Sequence, residues 1–284
     1  MDHTHTGSDT LEASIAVVNR DAMQSLLDAR GVKLSPAAVA GLKSLIVRVL
    51  SPAATVVLLD GDMGAQRAAA DGSVAPGVVL AIPLEAQGYA SLHQVDITRV
   101  AEGWSAARAR ELGATACKLL LPFRVDDEAQ MHAQQEVVRE VLEDCRQAGL
   151  ELILEPIVYE LPKRKLEPSR FGALVVAGAG RLAGLGPDVL KVQYPGSRAL
   201  CDSLHEAVAG TPWVILGGGA DGDTLARQVA QACRAGARGC IVGRTLWEDA
   251  LGNDPVAAGT VLREHSLPLL ERLGMVARAA AVGG

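Results

Sequence analysis

Eight short apolar segments recur along the chain of 284 residues, and longer segments with helical spacing separate them. Strands that are buried on both faces read as such apolar runs, and their alternation with helices is typical of a parallel sheet. Eight units without a linker-like stretch between them favour a single closed (β/α)8 barrel over an open doubly wound sheet. The predicted strands are Ser14–Asn19, Ala54–Asp60, Gly77–Ile82, Ala116–Leu121, Glu151–Tyr159, Val189–Gln193, Trp213–Leu216 and Gly239–Val242.

Helical spacing between these strands is clearest in four segments, Ile97–Leu112, Asp127–Ala148, Leu225–Ala235 and Asp254–Leu273. The sequences "ELGA", "QAGL" and "RAGA" each place a glycine where a helix is expected to end and a strand to follow. We therefore predict one barrel domain over residues 13–284. Residues 1–12 are polar and are expected to form a disordered tail.

The overall composition argues against several classes of protein. The net charge is -6, and the chain has no basic block of the kind that nucleic-acid binding requires. No apolar run reaches the roughly 20 residues that cross a bilayer. The five cysteines form no C-x-x-C pair, so we expect reduced thiols in a cytoplasmic enzyme with a small-molecule substrate. Whether the chain forms a homo-oligomer stays open at this point.

Two lysines lie inside predicted strands among apolar neighbours, Lys191 in "PDVLKVQYP" and Lys118 in "TACKLLLPF". Burial disfavours the charged form of lysine, and a neutral amine is the nucleophile of a Schiff-base enzyme. Two lysines in one barrel would also raise each other's cost of protonation. A lysine that merely extends to solvent from a strand end is the alternative for Lys191, and local sequence does not say which lysine reacts.

Glu155 in "LILEPIVYE" shares one face of its predicted strand with Ile153, Ile157 and Tyr159. A buried carboxylate needs partners, and the two lysines are candidates. Between them it would stay ionised and could transfer protons. A purely structural ion pair is the alternative.

Glycine-bearing turns follow the seventh and eighth predicted strands, with Gly217–Gly219 in the first and Gly243 and Arg244 in the second. Barrel enzymes often bind phosphate at these two loops, where backbone amides and a short helix face the anion. Arg244 would add a charge-assisted contact. We therefore expect the residues that bind a phosphate group to be Gly218, Gly219, Gly243 and Arg244.

The histidines beyond the tail fall in predicted helices or their approaches, not at strand ends, where a catalytic metal would need them. We therefore expect neither a metal nor another cofactor. These histidines are His93, His132, His205 and His265.

Six collinear blocks, from about Ile15 to about Ala250, resemble the tagatose 1,6-bisphosphate aldolase family, which also contains the sulfofructose phosphate aldolases. The resemblance implies a (β/α)8 barrel with metal-free Schiff-base aldol chemistry. The blocks are "VVLLDGDMG" (Val56–Gly64), "LEAQGY" (Leu84–Tyr89), "ACKLLLPFRVDD" (Ala116–Asp127), "LILEPIVYE" (Leu152–Glu160), "DVLKVQYP" (Asp188–Pro195) and "VGRTLW" (Val242–Trp247).

Within these blocks the resemblance implies that Lys191 forms the imine, with Glu155 and Lys118 as its catalytic helpers. It makes Arg244 a phosphate ligand. In the first-strand block Arg20 and Asp21 match the family, whereas Val18 replaces an acidic residue. Glu85 is kept as a substrate contact. Three other positions depart from the family: Ala86 replaces a lysine, Gly217 replaces a serine, and Arg124 replaces an acidic residue.

The departures concern substrate contacts, so the resemblance implies conserved chemistry on a changed substrate. We expect reversible cleavage of a ketose 1,6-bisphosphate or of 6-deoxy-6-sulfofructose 1-phosphate into dihydroxyacetone phosphate and a three-carbon aldehyde. Arg20 and Arg124 are candidate contacts for the distal anion, although Arg124 could instead pair with Asp126 or Asp127. The alternatives are a weakly catalytic relative that senses sugar phosphates, and another phosphate-binding barrel enzyme such as an isomerase.

Overall fold

Eight parallel strands form a closed barrel in which each strand pairs with the next and β8 pairs with β1. This computed structural model describes residues 13–16, 20–86, 97–159, 166–252 and 254–282. The predicted (β/α)8 barrel is confirmed. The strands are β1 (Ala13–Ala16), β2 (Val56–Leu58), β3 (Val79–Pro83), β4 (Ala116–Pro122), β5 (Glu151–Ile157), β6 (Val189–Val192), β7 (Trp213–Leu216) and β8 (Cys240–Val242).

Helices connect the strands and cover the outside of the barrel. Several begin at a residue whose side chain accepts a backbone N–H, as Asp127 does from Gln130 at the start of the longest helix. That helix ends at Gly149, whose φ of 66° suits only glycine without strain. The helices are α1 (Arg20–Ala29), α2 (Pro36–Leu50), α3 (Gln66–Asp71), α4 (Ala106–Glu111), α5 (Glu128–Ala148), α6 (Pro168–Ala183), α7 (Arg198–Ala207), α8 (Gly222–Arg234), α9 (Arg244–Trp247), α10 (Pro255–Val261) and α11 (Leu267–Val282).

The helix predicted over Ile97–Leu112 is wrong for its first half. Only Ala106–Glu111 is helical, and the side chain of Ser105 caps its start by accepting the N–H of Arg108. The preceding segment is extended at Val100, which forms an antiparallel bridge with Glu85 next to β3. Tertiary pairing has therefore overridden the helical spacing of these residues.

Some predicted features lie outside the described residues. The tail over residues 1–12 is among them, as are residues 17–19 of the predicted first strand, which include Val18. Arg20 is the first residue of α1, and its side chain is likewise not described. Residues 160–165, which follow β5, are also outside, and α6 begins at Pro168.

Apolar side chains fill the lower part of the barrel interior. They come from alternate positions of seven strands and are all buried. This apolar layer, which we call the floor, fills the barrel interior on the N-terminal side of the polar groups described below. Its members are Val56, Leu58, Ala81, Ala116, Ile153, Val189, Val214 and Ile241.

One stretch among the described residues, Pro36–Ala53, has the length and apolar character that a membrane-spanning helix would need. It contains α2, which buries Ile46, Val47 and Leu50 within the fold. Burial of one apolar face is the ordinary behaviour of a helix that covers a barrel.

Candidate active site

Strand alternation places three ionisable side chains directly above the apolar floor. Lys118, Glu155 and Lys191 each lie two residues beyond a floor residue on β4, β5 and β6, so they point to the same interior. With Glu85, which follows β3, they form a cluster that we call the buried tetrad. The side chains of all four are at most 4% exposed.

The buried tetrad is a chain of alternating charge with three short contacts. Glu85 Oε1 lies 2.6 Å from Lys118 Nζ, and Lys118 Nζ lies 2.7 Å from Glu155 Oε2. The other oxygen of Glu155, Oε1, lies 2.6 Å from Lys191 Nζ. Glu155 therefore bridges the two lysines, as the sequence led us to expect, whereas the contact between Glu85 and Lys118 was not foreseen.

The two lysines of the tetrad differ in their electrostatic surroundings. Burial lowers the pKa of Lys191 below its usual value, and the nearby Lys118 charge acts in the same direction, so the attraction of Glu155 is outweighed. Burial also opposes the charge of Lys118, but Glu155 and Glu85 together outweigh it and raise the pKa of Lys118. The site thus combines a lysine whose pKa is lowered with one whose pKa is raised.

The two carboxylates differ in the same way. Burial opposes the charge of Glu155, but Lys118 and Lys191 outweigh it and lower the pKa of the Glu155 carboxyl. Burial raises the pKa of Glu85, and the attraction of the Lys118 charge does not offset it. A carboxylate with a lowered pKa beside a lysine with a lowered pKa is an arrangement that can accept and return protons.

Glu85 is held by the backbone around it. Its Oε2 accepts the N–H of Leu120 at 3.1 Å, and its own backbone pairs with Val100. The segment that carries Val100 is fixed in turn by Thr98, whose N–H donates to the buried side chain of Gln134. The resemblance implied a substrate contact for Glu85, but the structure engages both of its oxygens inside the protein.

The glycine-bearing turns after β7 and β8 meet at the mouth of the barrel. A Cβ at Gly219 would lie only 3.2 Å from Nη2 of Arg244, and the hydroxyl of Thr245 donates to the carbonyl of Ala220 at 2.9 Å. Gly218 and Gly219 have φ values of 59° and 78°, so this turn needs residues that adopt left-handed backbone.

Three of the four residues predicted to bind phosphate are thereby brought together, and Gly243 directly precedes Arg244 at the start of α9. Arg244 is exposed, and no carboxylate within the described part of the chain forms an ion pair with it. A cation without an internal partner at a barrel mouth is available to a ligand anion. Gly217, the position where the family often has serine, packs closely on β8, since a Cβ there would lie 3.0 Å from Val242 Cγ1.

Arg124 takes up the alternative arrangement that the sequence left open. Its Nε and Nη2 lie 2.7 and 2.6 Å from the two oxygens of Asp126, and Nη1 donates to the carbonyl of Tyr159. Arg170 binds the same carboxylate. This geometry does not support Arg124 as a contact for the distal anion, because its guanidinium is already occupied.

A buried ion pair that sequence reasoning missed joins α2 to the end of β2. Lys43 Nζ lies 2.5 Å from Asp60 Oδ1, and the lysine side chain is fully buried. The sequence does indicate that this lysine is buried, because Lys43 lies four residues after Val39 and three before Ile46 on the apolar face of the helix. Its place on an outer helix makes it an anchor for the β2 loop.

His132 and His205 lie in α5 and α7, and His265 lies in the π-helical segment Leu262–Ser266 that joins α10 to α11, so all three are in helices, as predicted. His93 is outside the described residues. Within the ranges that the structure describes, no three histidine, cysteine or acidic side chains are grouped as potential metal ligands.

Comparison with known proteins supports an aldolase. The sequence model of the DeoC/LacD family aldolases matches residues 16–249. Tagatose 1,6-diphosphate aldolase 2 of Enterococcus faecalis is 25% identical over 280 residues, which covers 88% of this chain and 83% of the relative. The corresponding enzyme of Streptococcus mutans is 26% identical over 275 residues, with 84% of this chain and 82% of the relative covered.

Solved structures agree on the fold. A Schiff-base-forming fructose-1,6-bisphosphate aldolase superposes with a TM-score of 0.65 at 17% identity over 94% of each chain. The fructose-bisphosphate aldolase of Plasmodium falciparum superposes with a TM-score of 0.74 at 14% identity, covering 98% of this chain and 94% of that one. The family match spans most of the sequence, and the barrel and its buried lysines accord with it. The chain belongs to the DeoC/LacD family of aldolases and is a lyase.

Proposed function

We propose that this aldolase is a class I enzyme that holds a phosphorylated ketose as a Schiff base on Lys191 and releases dihydroxyacetone phosphate and a three-carbon aldehyde. The observation that carries the proposal is the contact between Lys191 Nζ and Glu155 Oε1 at 2.6 Å, with both side chains buried inside the barrel. A buried lysine with a lowered pKa supplies the amine that attacks a carbonyl, and the ionised carboxylate beside it handles protons.

The proposed steps use the residues of the buried tetrad. The Lys191 amine attacks the C2 carbonyl, and Glu155 moves the proton that lets the carbinolamine lose water. The resulting iminium accepts the electron pair of the C3–C4 bond when Glu155 takes the proton of the C4 hydroxyl, so the aldehyde departs. The enamine is then protonated at C3, and water hydrolyses the iminium to dihydroxyacetone phosphate and the free amine. Lys118 keeps a positive charge nearby and so favours a neutral Lys191.

The phosphate group of the ketose is assigned to the loops after β7 and β8. The support is the exposed guanidinium of Arg244 beside the backbone of Gly219, with Gly218 and Gly243 adjacent. The distal group is left as phosphate or sulfonate, with Arg20 as the remaining candidate contact. A panel of ketose 1,6-bisphosphates and 6-deoxy-6-sulfofructose 1-phosphate would identify it.

Borohydride trapping tests the chemistry directly. Reduction in the presence of dihydroxyacetone phosphate and EDTA should attach one stable adduct per chain, which peptide mass spectrometry should place on Lys191. An adduct on Lys118 would reverse the assigned roles, and the lack of any adduct would remove the Schiff-base mechanism. An adduct that disappears in EDTA and returns with zinc would contradict a metal-free reaction.

Borohydride trapping and the substrate panel together test the two alternative functions. An isomerase without a covalent intermediate would give no reducible adduct with the ketose product. A regulatory relative would bind sugar phosphates but show no turnover with any member of the substrate panel. Both alternatives are weakened by the retention of Lys191, Glu155 and Lys118 in contact with one another.

Replacing Arg244 with alanine should weaken substrate binding. A charge-assisted hydrogen bond contributes roughly 1.5–3 kcal/mol, so KM should rise by about tenfold or more. Arg139→Ala, which removes an exposed arginine paired with Glu136 on α5, is the matched control for loss of charge and should leave KM unchanged. Equal kinetics of the Arg244 variant and the wild type would place the phosphate elsewhere.

Arg124→Ala should change kinetics little for every substrate of the panel, because Asp126 and the Tyr159 carbonyl already occupy the guanidinium. The expected effect is on stability, since Asp126 would lose one of the two arginines that bind it in the described part of the chain and keep Arg170. Steady-state kinetics and thermal melting of the variant measure both. A KM that rises selectively for one distal anion would restore Arg124 as a substrate contact.

A further inference from the structure

The two lysines of the buried tetrad are almost equivalent as seen from Glu155. Lys118 Nζ lies 2.7 Å from one of its oxygens and Lys191 Nζ lies 2.6 Å from the other. Both lysines are nearly inaccessible, at 1% and 3% exposure of the whole residue. Glu155 alone therefore gives no reason for one lysine rather than the other to be the neutral amine.

The contact that breaks this equivalence is made by Glu85. Its Oε1 lies 2.6 Å from Lys118 Nζ, so the Lys118 ammonium lies between two carboxylates, those of Glu85 and Glu155. We propose that Glu85 is a positioning residue that selects the nucleophile, by keeping the proton on Lys118 and so leaving Lys191 as the amine. This inference rests on the proposed Schiff-base function and assigns Glu85 a role in it other than substrate binding.

Two lysines buried in one site hold a proton with different strength when their carboxylate neighbours differ. A lysine ammonium between two carboxylates is stabilised twice, and an opposite charge at such distances shifts a pKa by about 1–3 units. Once Lys118 is charged, its repulsion disfavours a second proton on Lys191. The raised pKa of Lys118 and the lowered pKa of Lys191 agree with this order.

The position of Glu85 suits a fixed charge. Burial raises the pKa of its carboxyl, and the Lys118 charge and the N–H of Leu120, which its second oxygen accepts, oppose this by favouring the ionised form. The bridge from its backbone to Val100 and the anchoring of Thr98 by Gln134 hold the segment against β4. Thr98 also donates its hydroxyl to the carbonyl of Leu120 at 3.2 Å. The carboxylate is thereby aimed at Lys118 by the fold.

Reductive methylation of the protein without a sugar ligand tests the inference, with formaldehyde and cyanoborohydride as the probe. In the wild type, Lys191 should be labelled about tenfold faster than Lys118 or more, since each pKa unit changes the fraction of amine tenfold. In Glu85→Gln, which keeps the shape of the side chain and removes its charge, the ratio should fall towards one. Gln134→Ala is the matched control: it loosens the same segment without changing charge and should keep the wild-type ratio.

Equal labelling of the two lysines in the wild type would overturn the inference, as would an unchanged ratio in a folded Glu85→Gln. If that variant does not fold, the pH dependence of labelling in the wild type still tests the inference. Labelling of Lys191 should reach its plateau at a lower pH than labelling of Lys118, and coincident pH profiles would contradict the proposal. Methylation by formaldehyde does not depend on aldolase activity, so it tests the role of Glu85 alone. The proposed function is tested separately, by borohydride trapping with dihydroxyacetone phosphate.

Discussion

Lys191→Met is expected to abolish aldol cleavage while the barrel stays folded. Methionine has nearly the length of lysine but no amine, so no imine forms and the covalent route is lost. We expect kcat to fall by at least about 1,000-fold, because enzymes of this kind accelerate their reactions by a million-fold or more and binding contributes only part. Assays of aldehyde release measure the fall in kcat, and treatment with borohydride should give no adduct on the variant.

Measurements of stability distinguish loss of the nucleophile from loss of the folded structure. Lys191 favours the neutral amine, so its replacement costs a hydrogen bond to Glu155, about 1–3 kcal/mol, while Lys118 still neutralises that carboxylate. Lys43→Met is the matched control, since it removes a fully buried lysine from its pair with Asp60 outside the tetrad. The control should lose stability but keep its adduct on Lys191. Residual cleavage near the wild-type rate in Lys191→Met would reject the proposed nucleophile.

The sequence predicted the barrel and the shared face of three catalytic candidates for a simple physical reason. Buried parallel strands alternate in and out, so a lysine or glutamate two residues past an apolar interior position points into the same interior. Lys118, Glu155 and Lys191 all obey this rule. The order of their pKa values could not be predicted, because it depends on Glu85, which follows another strand and is held by residues far along the chain.

The errors have a similar origin. Helical spacing over Ile97–Leu112 did not reveal that Val100 would pair with Glu85, because a backbone bridge leaves no trace in the spacing of apolar residues. Arg124 was a candidate substrate contact because of its place near a strand end, and its pairing with Asp126, two residues away, was the alternative that the geometry supports. Ion pairs of this kind depend on rotamers and loop path, which a sequence pattern does not encode.

Glu155→Gln is expected to affect both activity and stability, because it removes the charge at the centre of the tetrad. Loss of a group that transfers protons lowers kcat by about 100- to 10,000-fold. Removing one partner of a buried charge network costs about 3–5 kcal/mol, which lowers the Tm by at least about 5 °C in a protein of this size. Glu151→Gln, on the same strand at the opposite end of the barrel, is the control and should change kcat little.

The pH dependence of stability and of borohydride trapping in Glu155→Gln gives a more specific test. The pKa of Glu155 lies below its ordinary value of 4.5 in the folded state, so its stabilising effect is complete above that value and is lost as the pH falls through the folded pKa. The difference in unfolding free energy between wild type and Glu155→Gln should therefore be constant near neutral pH and shrink in acid. Glu155 also raises the pKa of Lys191, so the acid limb of borohydride trapping should move to lower pH in the variant. A limb that moves to higher pH, or a stability difference that grows in acid, would show that Glu155 is not the ionised partner of Lys191.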